Sequence, residues 1–219
     1  APALVRSQEG AEDDFDAGSD AIHERHVTAH DVVFGIAASG TTPYVRGALS
    51  RGAAQGAKTV LLACSDPPPD LLLNIDVAIL PKVGPEALTG STRLKAGTAT
   101  KLVLNTVTTG AMLRMGRAYG NLMVDLVALS EKLHDRGERI VMEVAGCDRE
   151  TARAAIAAAG GHVKPAIVIQ RRGVGREEAE GLLAEHGGFV RKAVGAPPVS
   201  PGLSRPQRPP HDRPEDGAV

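Results

Sequence analysis

Three short apolar runs constrain the fold of this chain more than any other feature. They span residues 32–38, 59–63 and 77–81, and none of them alternates with polar residues. A continuous apolar run is typical of a strand that is covered on both faces in a parallel sheet. The segment between the first two runs begins with a proline, has one apolar helical face and ends near two glycines. This order predicts a βαβ unit.

The later part of the chain has the spacing of helices. Helical patterns span residues 98–115 and 123–143, and two segments that begin at Arg149 and Arg176 repeat each other 27 residues apart. Each repeat has an Arg-Glu pair, aliphatic positions and a Gly-Gly pair, and glycine is the common residue at a helix end. Each repeat therefore resembles a small hairpin of the ubiquitin-associated type, which is more often a packing module than a catalytic one.

These patterns predict three parts of the chain. Residues 1–130 are expected to form the sheet-containing domain, and residues 131–195 a helical domain with the two hairpins. Residues 196–219 are rich in proline and poor in aliphatic side chains, so we expect a disordered tail.

Composition excludes several classes of function. The net charge is −1, and aromatic residues make up 2% of the chain with no tryptophan, which disfavours nucleic acid as a partner. No apolar run is long enough to span a membrane, and the first residues do not resemble a signal peptide. We expect a cytoplasmic protein. Because the chain starts at an alanine and in mid-pattern, we also expect that its beginning is missing.

The first candidate site is the loop in "FGIAASGTTPYV", residues 34–45. Ser39, Thr41 and Thr42 follow the first apolar run directly, and Pro43 begins the predicted helix. Ligands of open parallel sheets bind beyond the carboxyl ends of strands, where helix N-termini attract anions. The alternative is structural, with Thr42 capping the helix and Ser39 stabilising the turn.

A second polar segment, residues 85–105, precedes the next helical pattern. It combines hydroxyls with cations, among them Ser91, Thr92 and Lys95. Glu86 lies beside them as a carboxylate that could hold sugar hydroxyls, or as an ordinary acidic residue at a helix start. The acidic run "EGAEDD", residues 9–14, is by itself typical of a solvated helix end, although a carboxylate near an anion site is also what proton abstraction beside a carbonyl requires.

Five blocks in this order resemble a known family. They are "EGAEDD", "DVVFGIAASGTTPYV", "GPEALTGSTRLKAGTATKLVLN", "GNLMVDLVALSEKL" and "HGGFVRK", and together they are similar to the N-acetylmuramic acid 6-phosphate etherases of the sugar isomerase (SIS) superfamily. The resemblance implies an α/β parallel-sheet domain of the SIS type, flavodoxin-like with three layers and lacking its N-terminal part, followed by a small helical domain.

The resemblance also implies an activity. The family cleaves the D-lactyl ether of N-acetylmuramate 6-phosphate to N-acetylglucosamine 6-phosphate and D-lactate during cell-wall recycling, with no metal or organic cofactor. Glu12 corresponds to a catalytic acid/base of the family, and the binding candidates are Ser39, Thr41, Thr42, Ser91, Thr92 and Lys95. The implied partners are a small sugar phosphate and a second copy of the chain in a homodimer.

Two departures from the family pattern leave an alternative open. Thr41 stands where the family commonly has an arginine, and a glycine-rich loop with another catalytic glutamate is not found in this sequence. A non-catalytic, sugar-phosphate-binding regulatory module of the same superfamily is therefore the second interpretation. The acidic run at Glu12 favours the lyase, because a pure sensor has no need of a base there.

Overall fold

A computed structural model describes Val5 and residues 9–196 of the chain. The chain divides into two compact units, unit 1 with residues 1–108 and unit 2 with residues 109–219. The tail predicted over residues 196–219 lies outside the described residues from position 197 onward. The domain boundaries predicted after residues 130 and 195 stay predictions.

Unit 1 is built on a parallel three-stranded sheet with β2 in the centre. The strands are β1 (Val32–Ile36), β2 (Lys58–Leu62) and β3 (Val77–Ile79). The helices are α1 (Phe15–His23), α2 (Pro43–Ala54), α3 (Pro69–Leu72) and α4 (Lys95–Arg114), the last of which continues into unit 2. Val33 pairs with Thr59 and Leu61 with Ala78. The βαβ prediction and the parallel sheet are confirmed.

Close helix packing holds unit 1 together at its N-terminal end. Helix α2 packs across β1 and β2, and α1 packs against α2. A Cβ added at Gly18 would overlap the carbonyl oxygen of Tyr44, and one added at Gly47 would overlap that of Phe15. The two helix backbones therefore approach more closely than any larger side chain permits.

The core of unit 1 is small for a sheet of this kind. Its buried apolar side chains are Val33, Leu49, Ala57, Leu61 and Ala63. Other strand residues stay open, since Val32 is 60% exposed and Val77 is 50% exposed. The apolar runs of the sequence are therefore not covered on both faces within unit 1.

Unit 2 is mainly helical. A short antiparallel pair, β4 (Ala118–Tyr119) and β5 (Leu122–Met123), precedes its helices. These are α5 (Glu131–Ala145), α6 (Arg149–Ala158), α7 (Val163–Arg172), α8 (Arg176–Glu185) and α9 (Val190–Val194). The repeat forms the pairs α6–α7 and α8–α9, as its Gly-Gly spacing predicts. In the described ranges, no helix has the length and apolarity needed to cross a membrane.

The predicted helix over residues 123–143 is wrong in its first part. Met123 belongs to β5, and helix α5 begins only at Glu131, after Ser130 accepts a hydrogen bond from the N–H of Leu133 at 3.4 Å. The segment before it is extended, with Ala128 N–H donating to the carbonyl of Gly161. Burial alternates there, with the side chains of residues 124, 126 and 128 inside, which is the period of a strand.

Polar side chains lock unit 2 internally. Glu138 on α5 is 7% exposed and accepts hydrogen bonds from Arg149 (2.6 Å) and Arg153 (2.8 Å) on α6. These bonds lower the pKa of the Glu138 carboxyl below its ordinary value, and the bond from Arg153 has the largest effect. The buried hydroxyl of Tyr119 donates to the carbonyl of Gly195 at 3.0 Å, which ties β4 to the end of α9.

Candidate functional site

A cleft of about 660 Å³ lies at the carboxyl end of β1 in unit 1. The last residues of β1 and the alanines after it form one wall, and the loop and first turn of α2 form another. Its polar lining consists of Glu12, Ser39, Thr42, Tyr44 and Thr92. The structure thus brings four of the sequence-predicted site residues, Glu12, Ser39, Thr42 and Thr92, to one cleft.

The loop between β1 and α2 is held in a tight turn. Ser39 Oγ accepts the N–H of Thr41 at 3.2 Å and lies 3.1 Å from the Thr41 hydroxyl. Gly40 has a φ of 75°, and a Cβ there would come within 2.9 Å of Pro67 Cβ. Both the backbone conformation and the close approach therefore require glycine. Ser39 has the turn-stabilising role that the structural alternative predicted, although its side chain still lines the cleft; Thr41 is exposed and does not line it.

The N-terminus of α2 opens into the cleft. Thr42 is the N-cap residue, but its side chain makes no capping hydrogen bond, and Pro43 has no N–H. The N–H groups of a first helical turn have no partner within the helix. Tyr44 and Val45, which carry the first two N–H groups of this turn, both line the cleft. The positive end of the helix dipole and these donors make this wall suited to an anion.

Glu12 lies at the other side of the cleft, on a short 3-10 turn formed by Ala11–Asp13. The turn follows Gly10 and leads directly into α1, whose N-cap Asp14 accepts the N–H of Ala17 at 2.9 Å. Because α1 and this turn both pack on α2, the backbone that carries Glu12 is held near the start of α2. Among the described residues, that carboxylate has no hydrogen-bond partner, so it is free to act on a ligand.

The second polar segment contributes only Thr92 to the cleft. Glu86 accepts the N–H groups of Lys95 and Ala96, both at 3.0 Å, at the start of α4. These bonds hold the pKa of the Glu86 carboxyl below its ordinary value, and the bond from Ala96 has the largest effect. Ser91 accepts a hydrogen bond from Arg93 Nε at 3.0 Å, and the side chain of Lys95 is exposed. Glu86 thus has the helix-start role left open above, and sugar binding by Glu86, Ser91 and Lys95 stays a prediction.

Sequence reasoning missed Tyr44 as a lining residue. The signal was its position, immediately after the proline that begins α2. Side chains in the first turn of a helix lean toward its N-terminus, which is where the cleft lies.

The curated proteins to which the chain is similar include several N-acetylmuramic acid 6-phosphate etherases. The chain is 49% identical over 167 residues to the etherase of Thermosynechococcus vestitus, a match covering 76% of this chain and 54% of the relative. It is 51% identical over 167 residues to that of Serratia proteamaculans and 52% identical over 169 residues to that of Mycolicibacterium smegmatis, in each case over 76% of this chain and 56% of the relative. The chain is thus similar to these etherases over 76% of its own length.

The etherase relatives are longer than this chain, which spans about half the length of those it matches. A family model for the glucokinase regulatory protein N-terminal SIS domain also matches, over residues 1–53. That segment contains Glu12, Ser39, Thr41 and Thr42, whereas the other four predicted site residues lie beyond it. Together with the parallel sheet, this match confirms the SIS-type α/β fold.

Proposed function

We propose that this chain is the catalytic part of a lyase that cleaves the D-lactyl ether of N-acetylmuramate 6-phosphate, giving N-acetylglucosamine 6-phosphate and D-lactate in cell-wall amino-sugar recycling. The observation that carries the proposal is the one cleft that has Glu12 on one side and the N-terminus of α2 on the other. The similarity to an N-acetylmuramic acid 6-phosphate etherase, which is 49% identical over 54% of that relative's length, supports this substrate class.

In this proposal the phosphate binds at the start of α2. The hydroxyls of Ser39 and Thr42 and the N–H groups of Tyr44 and Val45 donate to its oxygens, and the helix dipole favours its charge. Thr92 contacts the sugar from the opposite segment, with Thr41 and Lys95 as weaker candidates at the rim. The residues provide hydroxyl and amide donors rather than a metal site, and the reaction as proposed requires no cofactor.

Glu12 is the proposed base. In the open-chain sugar, the carbon-2 proton lies beside the carbon-1 aldehyde, and the Glu12 carboxylate removes it while the electron pair moves onto the carbonyl oxygen. When the carbonyl reforms, the bond from carbon 3 to the ether oxygen breaks, and the lactate leaves after taking up a proton. Water then adds to carbon 3 of the unsaturated aldehyde, and carbon 2 regains a proton.

Proton exchange tests this role. In deuterated water, the wild-type chain with N-acetylglucosamine 6-phosphate is expected to exchange the carbon-2 proton, as followed by NMR, and Glu12→Gln is expected to reduce the rate at least 100-fold. Asp13→Asn is the matched control, because Asp13 is on the same 3-10 turn but does not line the cleft. Exchange that is equal in Glu12→Gln and wild type would remove Glu12 from the mechanism.

A second candidate is a sugar-phosphate-binding module without catalysis. The match of residues 1–53 to a regulatory-protein SIS domain favours it. It predicts that the wild-type chain binds N-acetylglucosamine 6-phosphate but exchanges no proton at carbon 2. The same experiment therefore separates the two functions.

We also propose a cytoplasmic homodimer that binds neither nucleic acid nor membranes. The supporting observations are the near-neutral net charge and the scarcity of aromatic residues, together with the resemblance that implies a dimer. Sedimentation velocity at two concentrations measures the oligomeric state directly.

A further inference from the structure

We propose that Tyr44 determines specificity in the cleft by binding the lactyl group of the substrate through its phenol. The inference rests on the proposed function, and it goes beyond it by naming the residue that distinguishes the ether substrate from its sugar product. Three features of the structure support it: where the phenol lies, what its hydroxyl lacks, and how its backbone is held.

Tyr44 is the second residue of α2 and the aromatic residue among those that line the cleft. Its backbone N–H belongs to the donors proposed for the phosphate. Side chains of a helix lean toward its N-terminus, so the ring is expected on the side of the cleft where the phosphate is proposed to bind. A ligand anchored at the start of α2 therefore has the rest of its sugar beside this ring.

The two tyrosines of the chain differ in what their hydroxyls do. Tyr119 is 1% exposed, and its hydroxyl donates to the carbonyl of Gly195 inside unit 2. Tyr44 is half-buried, and within the described part of the chain its hydroxyl has no hydrogen-bond partner. A phenol in a polar cleft without a protein partner is a donor available to a ligand.

The backbone of Tyr44 is fixed relative to Glu12. Gly18 of α1 lies directly against the carbonyl of Tyr44, and α1 begins three residues after Glu12. A shift of α1 would thus move the base and the phenol with respect to each other. The contact sets the spacing of the two backbones from which both side chains extend, and a fixed spacing is what discrimination between similar ligands requires.

The chemistry of the lactyl group matches this phenol. Substrate and product share the phosphate and the sugar, and they differ by a carboxylate and a methyl group attached through the ether oxygen. Of the described residues that line the cleft, none is lysine or arginine, so the donors that this lining offers to the carboxylate are neutral. The Tyr44 hydroxyl can donate to it while the ring contacts the methyl group.

Binding selectivity tests the inference. Isothermal titration of the full chain with N-acetylmuramic acid 6-phosphate and with N-acetylglucosamine 6-phosphate gives two affinities for each variant. Tyr44→Phe is expected to weaken muramyl binding about tenfold, the typical contribution of a hydrogen bond to a charged group, and to leave glucosaminyl binding within about twofold. Tyr44→Leu, which also removes the ring, is expected to weaken muramyl binding further.

Tyr119→Phe is the matched control. It removes the other hydroxyl of the same kind from a buried position, so the ratio of the two affinities is expected to stay at the wild-type value. A merely structural role of Tyr44 would weaken both sugars equally, and that result overturns the inference, as does an unchanged ratio in Tyr44→Phe. A wild-type chain that binds neither sugar overturns the proposed function and this inference with it, whereas binding of both sugars with an unchanged ratio overturns the inference alone.

Discussion

The polar side chains at the cleft of unit 1 and those inside unit 2 have opposite roles. In unit 2 they hold the fold: Glu138 joins two helices through a pair of arginines, and Tyr119 ties a strand to the last helix. In unit 1 two polar side chains at the cleft, Glu12 and Tyr44, have no hydrogen-bond partner within the described residues. Polar groups without a hydrogen-bond partner at the end of a parallel strand are typical of a binding site. Polar groups that are hydrogen-bonded within the protein are typical of a structural module.

The apolar residues show a related difference. Unit 2 has an extensive core in which Val141, Val163 and Ile167 are fully buried. Unit 1 buries fewer side chains and leaves parts of β1 and β3 exposed. Its order therefore depends on a few close contacts, above all that between α1 and α2. The unit that contains the candidate site is therefore also the one that is held together by fewer buried apolar contacts.

Gly47→Ala has the largest expected effect on this comparison. The added methyl group would overlap the carbonyl of Phe15, so α1 must move away from α2. We expect a loss of about 3 kcal/mol in the stability of unit 1, with weaker sugar-phosphate binding because Glu12 moves with α1. Hydrogen exchange followed by mass spectrometry measures the stability of each unit separately.

The matched control is Gly181→Ala in α8, where no atom lies within 4 Å of the added Cβ. It is expected to stabilise unit 2 by up to about 1 kcal/mol, since alanine is the better helix former. If Gly47→Ala leaves the exchange of unit 1 unchanged, the close helix contact is not what orders this unit.

Glu138→Ala has the next largest effect and acts on unit 2. It removes both hydrogen bonds to Arg149 and Arg153, but these arginines are partly exposed and regain water. We therefore expect a loss of about 2 kcal/mol, measured as faster hydrogen exchange in α5 and α6. Glu180→Ala removes an exposed pair with Arg176 and is expected to cost less than about 0.5 kcal/mol. Equal losses in the two variants would contradict the structural role of the buried carboxylate.

Asp76 gives unit 1 a smaller, pH-dependent contribution. Hydrogen bonds from Lys58 and from the N–H and hydroxyl of Thr59 lower the pKa of Asp76 to about 2 from its ordinary value of 3.8. A lowered pKa stabilises the folded state above pH 3.8, and this stabilisation is lost as the pH falls through about 2.

Urea unfolding at pH 5 and pH 2, followed by the amide signal of Leu61 in NMR spectra, measures this contribution. Asp76→Asn is expected to be less stable than wild type at pH 5 and to show a smaller drop toward pH 2. Asp70→Asn, an exposed position on α3, is the control and is expected to keep the wild-type drop. An identical drop in wild type and Asp76→Asn would contradict the assignment.

The sequence predicted the sheet and the repeat well, because both have strong local signals. The three apolar runs gave β1, β2 and β3 to within two residues at each end, and the Gly-Gly pairs marked the turns of both hairpins. The prediction of a helix from residue 123 was wrong because the apolar residues of "VDLVALS" fit both the helical period of 3.6 and the strand period of 2. Ser130 followed by an acidic residue was the available sign of a later helix start.

The site was predictable in its types of residue but not in its contacts. Spacing alone indicated the loop at Ser39 and Thr42, since strand ends and helix starts are local features. That Glu86 binds the start of α4, nine residues further along, depends on how the intervening loop folds. The close approach of α1 to α2, which holds the turn of Glu12 near the start of α2, likewise depends on tertiary packing rather than on any short pattern.

The most direct test of the central claim is an NMR titration of the full chain with N-acetylglucosamine 6-phosphate. The account predicts that the amide signals of residues 39–42, 44 and 45 shift most, followed by those of Glu12 and Thr92, and that the helical hairpins of unit 2 are unaffected. Shifts confined to unit 2, or to the separate unit 1 cavity lined by Arg46 and Asp70, would contradict the account.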